Sequence, residues 1–175
     1  MKRILSILTA VSLGMGMLSA QNDIAKEVFD IKAGDLKLSL MVGSDNRLYQ
    51  LHFGDADKKV NIPEKMPSRE LEFLPPYGNG VITEPAIQAT HTDGNTSTEL
   101  HYVKRSTEKL SDDVQQTVIS LQDPAYKFYV DIYVKCYEDA GMMEIWNTIR
   151  HDEKGGKVVL YRYASASPIL KAPSY

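Results

Sequence analysis

The sequence predicts an all-β fold, an antiparallel β-sandwich, and three observations carry that expectation. Phe128–Tyr137 alternates without a break: Phe, Val, Ile, Val and Cys fall on one face and Tyr, Asp, Tyr, Lys and Tyr on the other, the period of a strand with one face in a core. Further short segments rich in apolar residues follow at regular spacing, with Gly, Pro, Asp or Asn in almost every gap, as in sandwiches. Beyond the first twenty residues, no long segment holds a helical period.

The chain opens with Lys2-Arg3, an apolar run from Ile4 to Leu18, and a small residue, Ala20, before the polar Gln21-Asn22-Asp23. That order marks residues 1–20 as a secretory signal peptide. The run is too short and too interrupted by Ser and Gly for a membrane span. The mature domain is expected to be 21–175, secreted or periplasmic, and no cysteine near the cut suggests a lipid anchor. Losing Lys2 and Arg3 moves the formal charge from −3 to −5. No Lys/Arg cluster remains, so nucleic acid is not an expected partner. The mature length suffices for one domain with its own core.

Leu36, Leu38, Leu40 and Val42 alternate, and Gly43-Ser44-Asp45-Asn46 then turns the chain into Leu48–Phe53, which predicts a hairpin. Asp55–Lys59, Pro63, Pro67 and Pro75-Pro76 mark an extended surface loop, since proline cannot donate to a central ladder. Strands are expected at Glu99–Lys104, Val114–Gln122, Met143–Arg150 and Lys157–Tyr163, with an interrupted strand at Ser167–Tyr175. Cys136, the single cysteine, falls on the apolar face of its strand and is read as core. Trp146 and Arg150 share a strand face and suit a cation–π pair at an interface. The Tyr129, Tyr133, Tyr137 face suits domain contact or sugar stacking.

Glu70 with Glu72, Asp55 with Asp57, Asp112-Asp113 and Asp152-Glu153 are the close carboxylate pairs, each read as a solvated charge cluster. His91 and Asp93 offer two metal ligands, but Asp93-Gly94-Asn95 reads as a turn and lacks the spaced oxygen ligands of a calcium loop. No zinc spacing, Gly-x-Ser-x-Gly elbow or Cys/His signature occurs, so no metal, cofactor or catalytic residue is expected. Gly78-Asn79-Gly80 is a glycine-rich turn, stiffened at its entry by Pro75-Pro76. Tyr77 and Asn79 there offer the aromatic surface and polar contacts that sugars use.

Pro75-Pro76-Tyr77-Gly78-Asn79-Gly80, then Glu84-Pro85-Ala86 and Thr90–Thr98, resemble the N-terminal domain of retaining α-galactosidases of glycoside hydrolase family 36. Asp45–Gly54, Glu144–His151 and Val158–Ser167 are similar to the same domain, so the resemblance covers the chain from about Val28 onward. It implies a β-supersandwich that packs against a catalytic barrel, with both catalytic aspartates in that barrel and none here. It also implies hydrolysis of terminal α-galactosides by the complete enzyme, and a homo-oligomer. Tyr77, Asn79 and Glu84 match the family pattern and are the candidate substrate-binding residues. Val81-Ile82-Thr83 stands where family members often carry Gly-Asp-aromatic-Arg, whose acid reaches the sugar pocket of a neighbouring subunit. The alternative expectation is a standalone carbohydrate-binding or interaction module derived from the domain.

Overall fold

The computed structural model describes residues 24–80 and 82–170. The segment read as a signal peptide and residues 171–175 lie outside them, and residues 167–170, expected to begin an interrupted strand, form none. Nine strands occur among the described residues, with one 3₁₀ turn at Arg69–Leu71 and no α-helix. No described helix is long and apolar enough to cross a membrane.

The strands are β1 (Ala25–Ala33), β2 (Leu36–Gly43), β3 (Leu48–Asp55), β4 (Ile87–Thr90), β5 (His101–Lys109), β6 (Val114–Gln122), β7 (Phe128–Tyr137), β8 (Met142–His151) and β9 (Val159–Tyr163). They form antiparallel sheets of order β1-β2-β3, β5-β6-β7-β8 and the ribbon β4-β9. The all-β expectation holds, and the alternating segments do what alternation requires. Phe128, Val130, Ile132, Val134 and Cys136 are all buried and join one core with Phe29, Ile31, Leu38, Leu40 and Val42 of the facing sheet.

The β2–β3 hairpin forms as expected, with Val42 opposite Leu48. Its second face, though, is not left to water. Met41 and Tyr49, opposite each other in the ladder, are both fully buried, because the proline-punctuated loop folds back over them. Lys37 Nζ donates to the carbonyl of Lys58 at 2.6 Å, and the Phe73 amide donates to Leu48 at 2.9 Å. The loop runs over the surface in its first half, then turns inward so that residues 72–76 are buried.

Two strands were not expected. β1 buries only Phe29, Ile31 and Ala33, with Val28 exposed on the other face among charged residues, and β4, at four residues, is too short to display a period. β5 continues past Lys104 through five polar residues because β6 supplies a hydrogen-bonding partner along that whole length.

Cys136 is buried, and burial, with the Glu138 charge nearby, pushes its thiol up to about 11. Native protein is therefore expected to react slowly with a thiol reagent at pH 8 and denatured protein fully. Rapid native labelling would mean that β7 has slipped by one residue, which exchanges its faces.

Candidate functional site

The Pro75–Gly80 loop is fixed to its neighbours by backbone bonds. The Tyr77 amide donates to Ile87 at 2.8 Å, the Ala86 amide to Pro75 at 2.7 Å, and the Thr98 amide to Tyr77 at 3.0 Å. Arg69 Nη1 donates to the Asn79 carbonyl at 2.7 Å. Gly78 sits at φ +91°, and a Cβ there would lie 2.7 Å from Ser97 Cα. Only glycine permits both the backbone conformation and the close approach. The result is an open cavity of about 520 Å³ between the Pro76–Gly80 loop, Ile82, Thr83 and Pro85 on one side and Thr96 and Ser97 on the other. Among the described residues its lining contains no carboxylate, amine or guanidinium. Tyr77, Thr83 and the Thr96 and Ser97 hydroxyls suit an uncharged polar ligand.

Behind Ser97 lies a buried lock. His91 is almost fully buried, with Nδ1 2.8 Å from Glu153 Oε1 and Nε2 3.0 Å from Thr98 Oγ1. A carboxylate can only accept, so Nδ1 carries the proton, and in the neutral ring Nε2 accepts from the threonine hydroxyl. The Thr92 amide and hydroxyl both donate to Glu153 Oε2, at 3.1 and 3.3 Å. Burial alone would push the Glu153 carboxyl up, but the bonds from His91 and Thr92 outweigh it and hold the carboxyl below the usual range. The imidazole stacks on Tyr126 at 3.7 Å and 5° and meets Phe128 edge-on. Tyr126 in turn donates its hydroxyl proton to Asp93 Oδ2 and accepts from Asn95 Nδ2, both at 2.9 Å. Thr98, His91 and Glu153 thus have the connectivity of a nucleophile, base and acid. Thr98, however, has no exposed surface, so no substrate reaches it, and the constellation is structural.

Residues 43–175 match the model of the glycosyl hydrolase family 36 N-terminal domain. The chain belongs to that family. Solved structures share its fold. The family-36 α-galactosidase AgaB of Geobacillus stearothermophilus superposes with a TM-score of 0.70 at 19% identity, over 79% of this chain and 23% of that one. An α-galactosidase of Lactobacillus brevis gives 0.65 at 17%, over 79% and 23%. The galactosidase domain of the α-galactosidase-sucrose kinase AgaSK gives 0.70 at 14%, over 81% and 24%. This family-36 N-terminal domain therefore spans about a quarter of the length of those structures. No curated protein gives a significant sequence match.

In this family-36 domain the three candidate substrate-binding residues do not converge. Tyr77, 44% exposed, and Asn79 line the cavity, but Asn79 is buried and presents little surface to a ligand. Glu84 lies outside the cavity lining and forms an ion pair with Arg162 of β9. Ile82 and Thr83 line the cavity, while Val81 lies outside the described residues.

Two carboxylates read as solvated are not. The 3₁₀ turn at Arg69–Leu71 separates the pair, leaving Glu70 exposed and Glu72 buried against Arg47. Glu153 is drawn under the Thr92 turn by His91, leaving Asp152 alone at the surface. Neither partner is close in sequence, so local charge pattern had no way to mark them. The Asp93-Gly94-Asn95 turn forms as read, the Asn95 amide donating to Asp93 Oδ1 at 2.9 Å and Gly94 at φ +89°. No group of three or more metal-binding side chains occurs among the described residues. Trp146 and Arg150 share a face but do not pair with each other. Each takes a cross-strand tyrosine: Trp146 stacks on Tyr133 at 5.1 Å, and the Arg150 guanidinium lies 4.1 Å above Tyr129.

Proposed function

We propose that this chain acts as the non-catalytic N-terminal β-sandwich domain of a secreted, retaining α-galactosidase, delivered to the periplasm or exterior by residues 1–20. The observation that carries this reading is the family match over residues 43–175, on a fold that α-galactosidases use for about a quarter of their length. Retaining hydrolysis requires two carboxyl groups about 5 Å apart across an open cleft. The cavity at Tyr77 has none among its lining residues. The catalytic pair then belongs to a barrel domain that partners this one, and the complete enzyme is a homo-oligomer acting on terminal α-galactosides.

The chain by itself is expected to give no turnover of a chromogenic α-galactoside above buffer. Turnover that copurifies with the chain and disappears when one of its own carboxylates is replaced would overturn this reading. A second reading, a standalone carbohydrate-binding module, draws support from the uncharged, hydroxyl-lined cavity beside the half-exposed Tyr77. On that reading Tyr77 and Asn79 contact the sugar, and a Tyr77→Ala variant loses whatever galactoside binding the chain shows by calorimetry.

A further inference from the structure

The Gly78-Asn79-Gly80 turn is set up for a reaction of its own, apart from any sugar or barrel. Among the asparagines of the sequence, only Asn79 is followed by glycine. The backbone nitrogen of the following residue can close a five-membered ring on the side-chain carbonyl carbon of an asparagine, and a Cβ on that residue hinders the approach. Glycine has none. Gly80 is exposed and sits at φ +87°, where glycine is favoured in any case. Asn79 itself is enclosed, at 3% exposure.

Ring closure requires the Asn79–Gly80 peptide plane to rotate, so that its nitrogen swings toward the Asn79 side chain and its carbonyl oxygen swings with it. That oxygen is held. Arg69 Nη1 donates to it at 2.7 Å. Arg69 is fixed in turn at the start of the 3₁₀ turn, where the Ser68 hydroxyl accepts from the Glu70 amide and the Arg69 carbonyl accepts from the Glu72 amide at 3.1 Å. On either side of the plane the chain is anchored, by the Tyr77 amide on Ile87 and the Ala86 amide on Pro75. Release of the Arg69 bond therefore frees the reacting plane as a local opening, with the sandwich still folded.

We propose that Asn79 is a site of spontaneous deamidation, gated by Arg69, that turns the cavity acidic. The Gly80 nitrogen bonds to the Asn79 side-chain carbonyl carbon as the bond from that carbon to the amide nitrogen breaks, and the Gly80 N–H proton leaves with that nitrogen as ammonia. Water then opens the cyclic imide at either carbonyl, giving aspartate or the isomer whose backbone runs through the side chain. Water is the one co-reactant. Either product places a carboxylate at a position lining a cavity that has none among its described residues. An ionised carboxyl is costly in the enclosure that Asn79 occupies, so the modified loop is driven outward.

The test incubates the chain at pH 8, folded and in urea, and follows conversion at each asparagine by peptide mass and separation of the isomers. In urea Asn79 should convert first. In the folded chain it should convert about tenfold more slowly than in urea, yet still ahead of Asn95, which is exposed but followed by threonine. An Arg69→Met variant should raise the folded rate about threefold or more and leave the urea rate unchanged. Ile132→Val, which weakens the core at β7, should leave the folded rate as it is. An Asn79→Asp variant should migrate with the acidic product on isoelectric focusing and unfold at a lower temperature than the parent. Intact Asn79 in the folded chain after the urea sample has converted overturns the proposal, as do equal folded rates with and without Arg69. A folded rate that rises as much with Ile132→Val as with Arg69→Met makes global unfolding the gate and overturns it too.

Discussion

Replacing Arg47 by Met is expected to cost about 3–5 kcal/mol at pH 8, since removing one member of a buried ion pair strands the other. Arg47 is 2% exposed and Glu72 3%, and they meet at 3.2 Å. Glu99 Oε2 adds a second contact to the guanidinium at 2.8 Å and Asp45 a third at 3.6 Å. Burial pushes the Glu72 carboxyl up to about 7 even with Arg47 and Arg69 lowering it. Its folded value lies above its unfolded one, so its contribution to stability is fully present below about 4.5 and lost as pH rises through about 7. Without Arg47 the carboxyl is pushed higher still and takes up a proton to escape its stranded charge. The deficit of the variant should therefore be smaller at pH 5 than at pH 8. Urea unfolding at the two pH values checks this, and an Arg47→Met/Glu72→Gln double variant should recover much of the loss. Equal deficits under about 1 kcal/mol at both pH values would show that the pair is not the pin that fastens the proline-punctuated loop to β3.

The second large effect is expected at His91→Ala, about 3 kcal/mol from the cavity and the unmade hydrogen bonds together. The substitution removes the ring stacked on Tyr126 and leaves Glu153 Oε1 and the Thr98 hydroxyl without the imidazole between them. It should also change the acid limb of the stability profile. Glu153 is held below the usual carboxylate range, so its stabilisation is present above the unfolded value and lost as pH falls through the folded one. Part of that depression comes from His91, and the variant should lose stability less steeply on acidification than the parent protein. Thermal unfolding between pH 3 and pH 7 reads this directly. Parallel acid limbs would remove His91 from the account of Glu153.

The strands with unbroken alternation were legible in the sequence because a single physical cause, one buried face, writes one period. β7 is the clearest instance and β2 the instructive one. Its apolar positions were visible, but Ser39 and Lys37 on its other face are buried as well, since a loop from later in the chain covers them. That covering is a tertiary event with no local trace. The same holds for the site. Gly78 announces a sharp turn by its type alone, and its loop does line the cavity. Glu72, Glu153 and Thr98 acquire their roles from partners that are 25, 62 and 7 residues away, and a carboxylate in a run of charges reads the same whether it will be solvated or enclosed.

The pairing of β4 with β9 joins positions about seventy residues apart in the chain, and β5 to β8 are all made between them. Closing so long a loop has an entropic cost that is met only once the intervening hairpins have formed, each from neighbours in sequence. On the ribosome, Ile87 and Ala89 emerge well before Tyr163 and Leu160, their ladder partners. Until β9 is made β4 lacks its antiparallel mate, and the Tyr77 loop, whose amide bonds to Ile87, waits with it. The loop that lines the cavity is thus tied to a strand whose own mate is made only after β5 to β8.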